Sequence, residues 1–171
     1  MAADKFLQVN TAGNVVEGRG VSVASGAGDE GKYPALDAAG KLVSGHMPDG
    51  VGSDTLVAPA SEDLVAGDLV CQFNDSGTLK IRKADSTVAG KEAKGFVKVG
   101  VSTSASATMY LSGSNAYRTG MTLGAEQFLH TVAGGVTETA PVASGNVVQI
   151  LGIANSTTSF TFAPEIRCVR A

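Results

Sequence analysis

The sequence predicts an all-β protein, on three observations. Glycine, serine, threonine, alanine and valine dominate its 171 residues and tryptophan is absent, a composition that favours strands and tight turns over helices. No stretch sustains a helical period of apolar residues, whereas short runs alternate apolar and polar side chains between turn formers. A pattern of strands also recurs along the chain. Together these predict a compact antiparallel β-sandwich or small β-barrel over residues 55–171, built from two similar halves, preceded by an extended N-terminal arm over residues 1–54.

The arm contains three short β-like pieces, Phe6-Leu7-Gln8-Val9, Val15-Val16 and Val21-Ser22-Val23, set between glycine-rich breaks. Such pieces are too short to bury a core of their own. The arm is therefore expected to become ordered by adding strands to a neighbour or by lying along another protein. Phe6, Leu7, Val9 and Met47 are the apolar residues expected to make that contact. Further on, Pro34 sets an extended approach and Asp37 to Gly40 has turn chemistry, with Leu36 and Leu42 free to pack on either side.

Thr55 to Ala58 is the first strand expected in the compact domain. In the run from Leu64 to Val97, Leu69, Cys71 and Phe73 fall on one face of an extended segment, Asn74 to Gly77 reverses the chain, and Leu79 and Ile81 alternate with Thr78, Lys80 and Arg82. That is a β-hairpin with one buried face. The run then recurs: Gly67, Gly77 and Gly95 match Gly124, Gly134 and Gly152, each pair 57 residues apart (124 minus 67, 134 minus 77, 152 minus 95). Leu79 falls opposite Val136, and Phe96-Val97 opposite Ile153-Ala154. Leu69 falls opposite Glu126, a poor match, so the expected duplication rests on pattern rather than identity. Between the two runs, Ala105 to Leu111 and Ser114 to Tyr117 read as a polar strand pair. The small, uncharged stretch Val101 to Thr108 suits either close packing against another backbone or a plain exposed strand. The chain closes on the alternating Thr158-Ser159-Phe160-Thr161-Phe162, whose two phenylalanines share a face and are expected in the core.

Several function classes are disfavoured by the residues themselves. A net charge of −3 with scattered cations offers no clustered basic face for phosphates. There is no basic-then-apolar leader and no apolar run near the ~18 residues that a membrane span needs, so a soluble protein made in the cytoplasm is expected. Cys71 and Cys168 are expected as reduced packing residues. Gly26 to Gly31 matches the dinucleotide fingerprint, but Lys32-Tyr33-Pro34 follows where a helix is required. His46 and His130 stand far apart, no metal-ligand spacing occurs, and no serine sits in a nucleophile motif. Aromatic residues, at 5%, are too few for rings stacked on sugar faces. Neither catalytic, metal nor cofactor-binding residues are assigned.

Gly31-Lys32-Tyr33-Pro34-Ala35-Leu36-Asp37-Ala38-Ala39-Gly40-Lys41-Leu42 resembles the Gly-Lys-x-Pro-Ala-Leu-Asp-x-x-Gly-Lys-Leu segment of tailed-bacteriophage structural proteins, notably fibres and head-attached appendages. The resemblance implies contacts between chains at Tyr33, Pro34, Leu36 and Leu42. Where the fibre pattern continues with an acidic residue and leucine-proline, this chain has Val43-Ser44-Gly45-His46-Met47-Pro48. From Thr55 onward, Ala66-Gly67-Asp68-Leu69-Val70, Lys94-Gly95-Phe96-Val97, Leu151-Gly152-Ile153-Ala154 and the closing Phe160-Thr161-Phe162 look like the small β-domains of phage capsid decoration, or cement, proteins. That resemblance implies a non-enzymatic virion protein, commonly a homotrimer. It would bind the major capsid protein on the head exterior and clamp neighbouring capsomers, with no nucleic-acid, membrane or cofactor partner. A head-fibre or tail-fibre component is the alternative.

Overall fold

The computed structural model describes residues 5–19, 36, 40, 42 and 54–170. The chain divides into two units, Met1–Gly52 and Ser53–Ala171. In the first, β1 (Lys5–Val9) and β2 (Val15–Arg19) form an antiparallel hairpin with Lys5 opposite Arg19 and Val9 opposite Val15. The Asn10 side chain organises its loop, because Oδ1 accepts from the Ala12 and Asn14 amides at 3.0 Å each. Such a local side-chain bond replaces the partners that a turn takes from the backbone. Two of the arm's short pieces thus pair with each other. The third, Val21 to Val23, lies outside the described residues.

In the second unit every strand pair is antiparallel, one isolated bridge from Ala60 to Ile81 is parallel, and no helix occurs among the described residues. One sheet contains β3 (Thr55–Pro59), β4 (Leu69–Asp75), β5 (Thr78–Lys83), β6 (Gly95–Val97) and β7 (Ser106–Tyr110), in the spatial order β3-β7-β6-β4-β5. The other contains β8 (Gly113–Asn115), β9 (Glu126–Leu129), β10 (Val136–Thr137), β11 (Val147–Ala154) and β12 (Phe160–Val169), in the order β8-β12-β11-β9-β10. Replacing each strand of the first sheet by the one five places later gives the second. The hairpin read from Asn74 to Gly77 is present. Asp75 pairs with Thr78, Ser76 and Gly77 both have positive φ (52° and 90°), and Asn74 Oδ1 accepts the Gly77 amide at 2.7 Å, the conformation a two-residue hairpin turn favours.

The duplication extends to individual bonds at the same 57-residue interval. Gly67 N–H donates to Val97 O at 2.7 Å and Gly124 N–H to Ala154 O at 2.8 Å. Asp68 N–H donates to Val65 O and Ala125 N–H to Thr122 O, both at 3.0 Å; Val97 N–H to Asp68 O at 3.1 Å is matched by Ala154 N–H to Ala125 O at 3.0 Å. Gly67 and Gly124 occupy the third position of these turns with φ of +89° and +80°, which side chains with a Cβ resist. Gly95 and Gly152 share a different task, close approach to the next strand: an added Cβ would meet Tyr110 O at 2.6 Å in one half and Thr161 O at 1.8 Å in the other. Ladder registers agree as well. Leu69 opposite Phe96 and Phe96 opposite Tyr110 correspond to Glu126 opposite Ile153 and Ile153 opposite Thr161.

The halves stack in the same sense rather than face to face. Leu69, Phe96 and Tyr110, on one side of the first sheet, pack against Leu129, Leu151, Ala154, Phe160 and Phe162 on the second. The opposite side of the first sheet holds a separate core of Ala58, Val70, Ile81, Val97, Ala107 and Met109, and the sheet curls over it until Ala60 bridges Ile81. By register, Ala154 and Phe160 are the equivalents of Val97 and Met109. The outer side of half one therefore enters the inner side of half two. Backbone bonds seal the joint: Leu69 N–H to Gly134 O at 3.0 Å, Gly134 N–H to Ala84 O at 2.7 Å, and Val147 N–H to Ser86 O at 2.8 Å. The buried Gln149 amide exchanges two bonds of 2.8 Å with the Ala93 backbone.

Of the two closures left open by the sequence, the molecule takes the sandwich, and neither sheet closes into a barrel. Phe160 and Phe162 are buried together as expected. Two details differ. β7 and β8 do not pair with each other but belong to different sheets, because Leu111 and Ser112 carry the chain across the sandwich. Leu79 and Val136 are not structural equivalents: Leu79 faces Asn74, whereas Val136 faces Leu129 and touches the core. The second hairpin is slid by two residues, which preserves its face and changes its partners. The small polar stretch ending at Thr108 leads into an interior strand, flanked by β3 and β6.

Candidate functional site

Of the contact residues expected in the arm, Leu7 and Val9 are 75% and 67% exposed, and Val15 opposite Val9 is 66% exposed. These three apolar side chains stand in solvent around one hairpin. Phe6 lies in β1 opposite Gly18. Leu36 and Leu42 are exposed. Tyr33, Pro34 and Met47, with His46 and the Gly26 to Gly31 loop, lie outside the described residues.

A second site emerges from the unequal halves. The face that carries Leu69, Phe96 and Tyr110 in half one is buried by half two; the same face of half two, carrying Glu126, Ile153 and Thr161, is open. It forms a groove of about 570 Å3, lined by Glu126, Ile150, Ile153, Thr161, Ala163 and Glu165 among others. Ile153 is 55% exposed. β12 borders the groove, and β8 covers it only from Phe160 to Phe162. From Ala163 to Val169 no described strand pairs with β12 on the side away from β11.

Polar groups concentrate at the joint behind this face. The Arg118 guanidinium donates to Gly67 O and Gly134 O, one carbonyl from each half. Burial pulls its pKa below the ordinary value, opposed by the Asp68 carboxylate. Asp68 in turn accepts the Val65 amide at 2.9 Å and has Lys83 Nζ at 3.5 Å. Asn115 Nδ2 also donates to Gly67 O, at 2.9 Å. Burial works against ionisation of Asp85, but hydrogen bonds from Thr87 and Lys91 outweigh it and hold its carboxyl below the usual range. Glu138 is held low chiefly by the Thr122 amide. These contacts fix loops.

Among the described residues, no three His, Cys, Asp or Glu side chains gather around one point. Cys71 is a buried free thiol and Cys168 an exposed one. The half-buried His130 uses Nδ1 to accept the Val132 amide at 2.7 Å, so it holds its own loop. No helix among the described residues is long and apolar enough to cross a membrane.

No protein-family model matches the chain and no curated protein matches it. The groove was missed from the sequence, yet its signal was present: the mismatch of Leu69 with Glu126 marks the place where equivalent positions meet different surroundings.

Proposed function

We propose that this chain is a structural virion protein, a capsid decoration protein that binds the major capsid protein on the exterior of a phage head and clamps neighbouring capsomers, acting as a homotrimer. The observation that carries this reading is the exposure of Leu7, Val9 and Val15 on a hairpin in a unit separate from the packed sandwich. An apolar face of that kind is suited to being covered by another chain. The resemblance of Gly31 to Leu42 to phage structural segments gives that chain its class. The mechanism is mass action: a clamp that binds the assembled lattice and not its separated subunits stabilises the lattice in proportion to RT ln(1 + [L]/Kd).

The test is co-sedimentation with undecorated heads of the phage that carries the gene, followed by heating. The protein is expected to pellet with the heads and raise their disruption temperature. Substituting Leu7→Asp with Val9→Asp is expected to weaken both effects at least tenfold. Heads that neither bind the protein nor gain heat resistance would refute the assignment.

A further inference from the structure

We propose that Lys98 and the hydroxyls of Ser106 and Thr108 form a binding pocket for a carboxylate carried on a short aliphatic stem. The pocket arises where a ladder stops. β6 pairs with β7 only through Phe96 opposite Tyr110 and Val97 opposite Met109. Beyond Val97 the chain turns away to bridge Leu64 at Val101, while β7 runs back to Ser106 alongside β3. Where the two segments part lies a cavity of about 240 Å3, lined by Lys98, Val99, Val101, Ser106, Thr108 and Tyr110.

The charge in this pocket lacks a counterion. Lys80, Lys83 and Lys91 each reach a carboxylate, those of Asp75, Asp68 and Asp85. Lys98 reaches none among the described residues. Its Nζ instead stands 4.0 Å from the Tyr110 ring centroid and 5.8 Å from that of Phe96, and the two rings stack with centroids 5.8 Å apart. Attraction to the ring faces holds the half-buried ammonium in position and leaves its net charge uncancelled. The Ser106 and Thr108 hydroxyls likewise bond to no other described residue.

Those groups define the ligand. An ammonium and two hydroxyls are all able to donate hydrogen bonds, and no Asp or Glu lines the cavity, so an anion is favoured over a cation. A single positive charge balances a monoanion. Val99 and Val101 add apolar wall that a hydrated inorganic ion cannot use and a methylene stem can. A free short-chain acid and a glutamate side chain of another protein share that chemistry. This inference does not require the protein to bind a capsid.

The experiment titrates the isotope-labelled full-length protein with sodium butyrate and, separately, with N-acetyl-glutamic acid α-amide, read by amide chemical shifts at constant pH and ionic strength. Saturable shifts are expected for the amides of Lys98, Val99, Ser106 and Thr108, whereas n-butylammonium chloride is expected to produce none there. Lys98→Met keeps the bulk of the stem and removes the charge, and it should weaken binding about tenfold or more. Thr108→Val is expected to weaken it by about threefold. The amide spectrum of each variant shows whether it is folded, and Lys98→Gln takes the place of a Lys98→Met variant that is not. Saturation by butyrate alone supports the pocket and assigns it to a free acid; saturation by the glutamate probe supports it and assigns it to an acidic side chain of a partner. No saturable shift with either probe at about 100 mM, unchanged affinity in the folded Lys98 variant, or equal binding of butylammonium each overturns the proposal.

Discussion

Arg118 ties the halves of the sandwich through Gly67 O and Gly134 O, from a position where a charge is costly to hold. Each carbonyl has one further donor, Asn115 for Gly67 and the Leu69 amide for Gly134, so Arg118→Met is not expected to abolish folding. Loss of about 1–3 kcal/mol of unfolding free energy is expected in urea titrations, with Asp68 left beside an uncharged neighbour. Asp85 gives a pH signature. Its folded pKa lies below the unfolded value of about 3.9, so its contribution is complete above that value and is lost as pH falls through the folded pKa. Asp85→Asn is therefore expected to be less stable than wild type at pH 7. The difference should shrink as pH falls below the ordinary carboxylate range and through the folded pKa, read by chemical denaturation across pH.

At the scale of elements, what could be read in advance was whatever depends on neighbouring residues. Asn74 to Gly77 announces its turn because two successive positive-φ positions require such residues, and Phe160 to Phe162 announces a face because alternation in a strand is geometric. Orientation within the sandwich was not readable. Leu69, Val70 and Cys71 are all buried, since β4 has a core on each side, and an apolar run of this kind does not reveal which side meets the other half. β7 and β8 were read as a pair because a short link suggests a hairpin; nothing local tells the chain to change sheets. Arg118 was overlooked because its partners are backbone carbonyls, invisible to any search for side-chain motifs. Phe96 lies where the two layers meet, touching Tyr110 on its own sheet and Phe162 on the other. Its replacement by alanine is expected to cost about 3–5 kcal/mol, measured by thermal or urea unfolding.

Across the whole of Ser53–Ala171, the two halves are similar in topology and unequal in independence. The first encloses its own core, whereas the second depends on Leu69, Phe96 and Tyr110 from the first to complete its interior. Residues 53–111 expressed alone are expected to retain β-structure and aggregate through that uncovered face, and residues 112–171 alone to remain unfolded. Far-ultraviolet circular dichroism and size-exclusion chromatography of the two fragments would check this. Residues 53–171 together are expected to unfold in one transition. Two folded fragments, or an unfolded first fragment, would contradict the asymmetry.

Stacking in a common sense also gives the pair a direction. A repeat that hands its outer side to the next could in principle go on indefinitely, from one copy of the protein to another, and produce a fibre. Here the receiving side of the leading repeat is already plugged by Val70, Ile81, Val97 and Met109. The series therefore stops at two, and the joint between the halves cannot be repeated end to end from one copy to another.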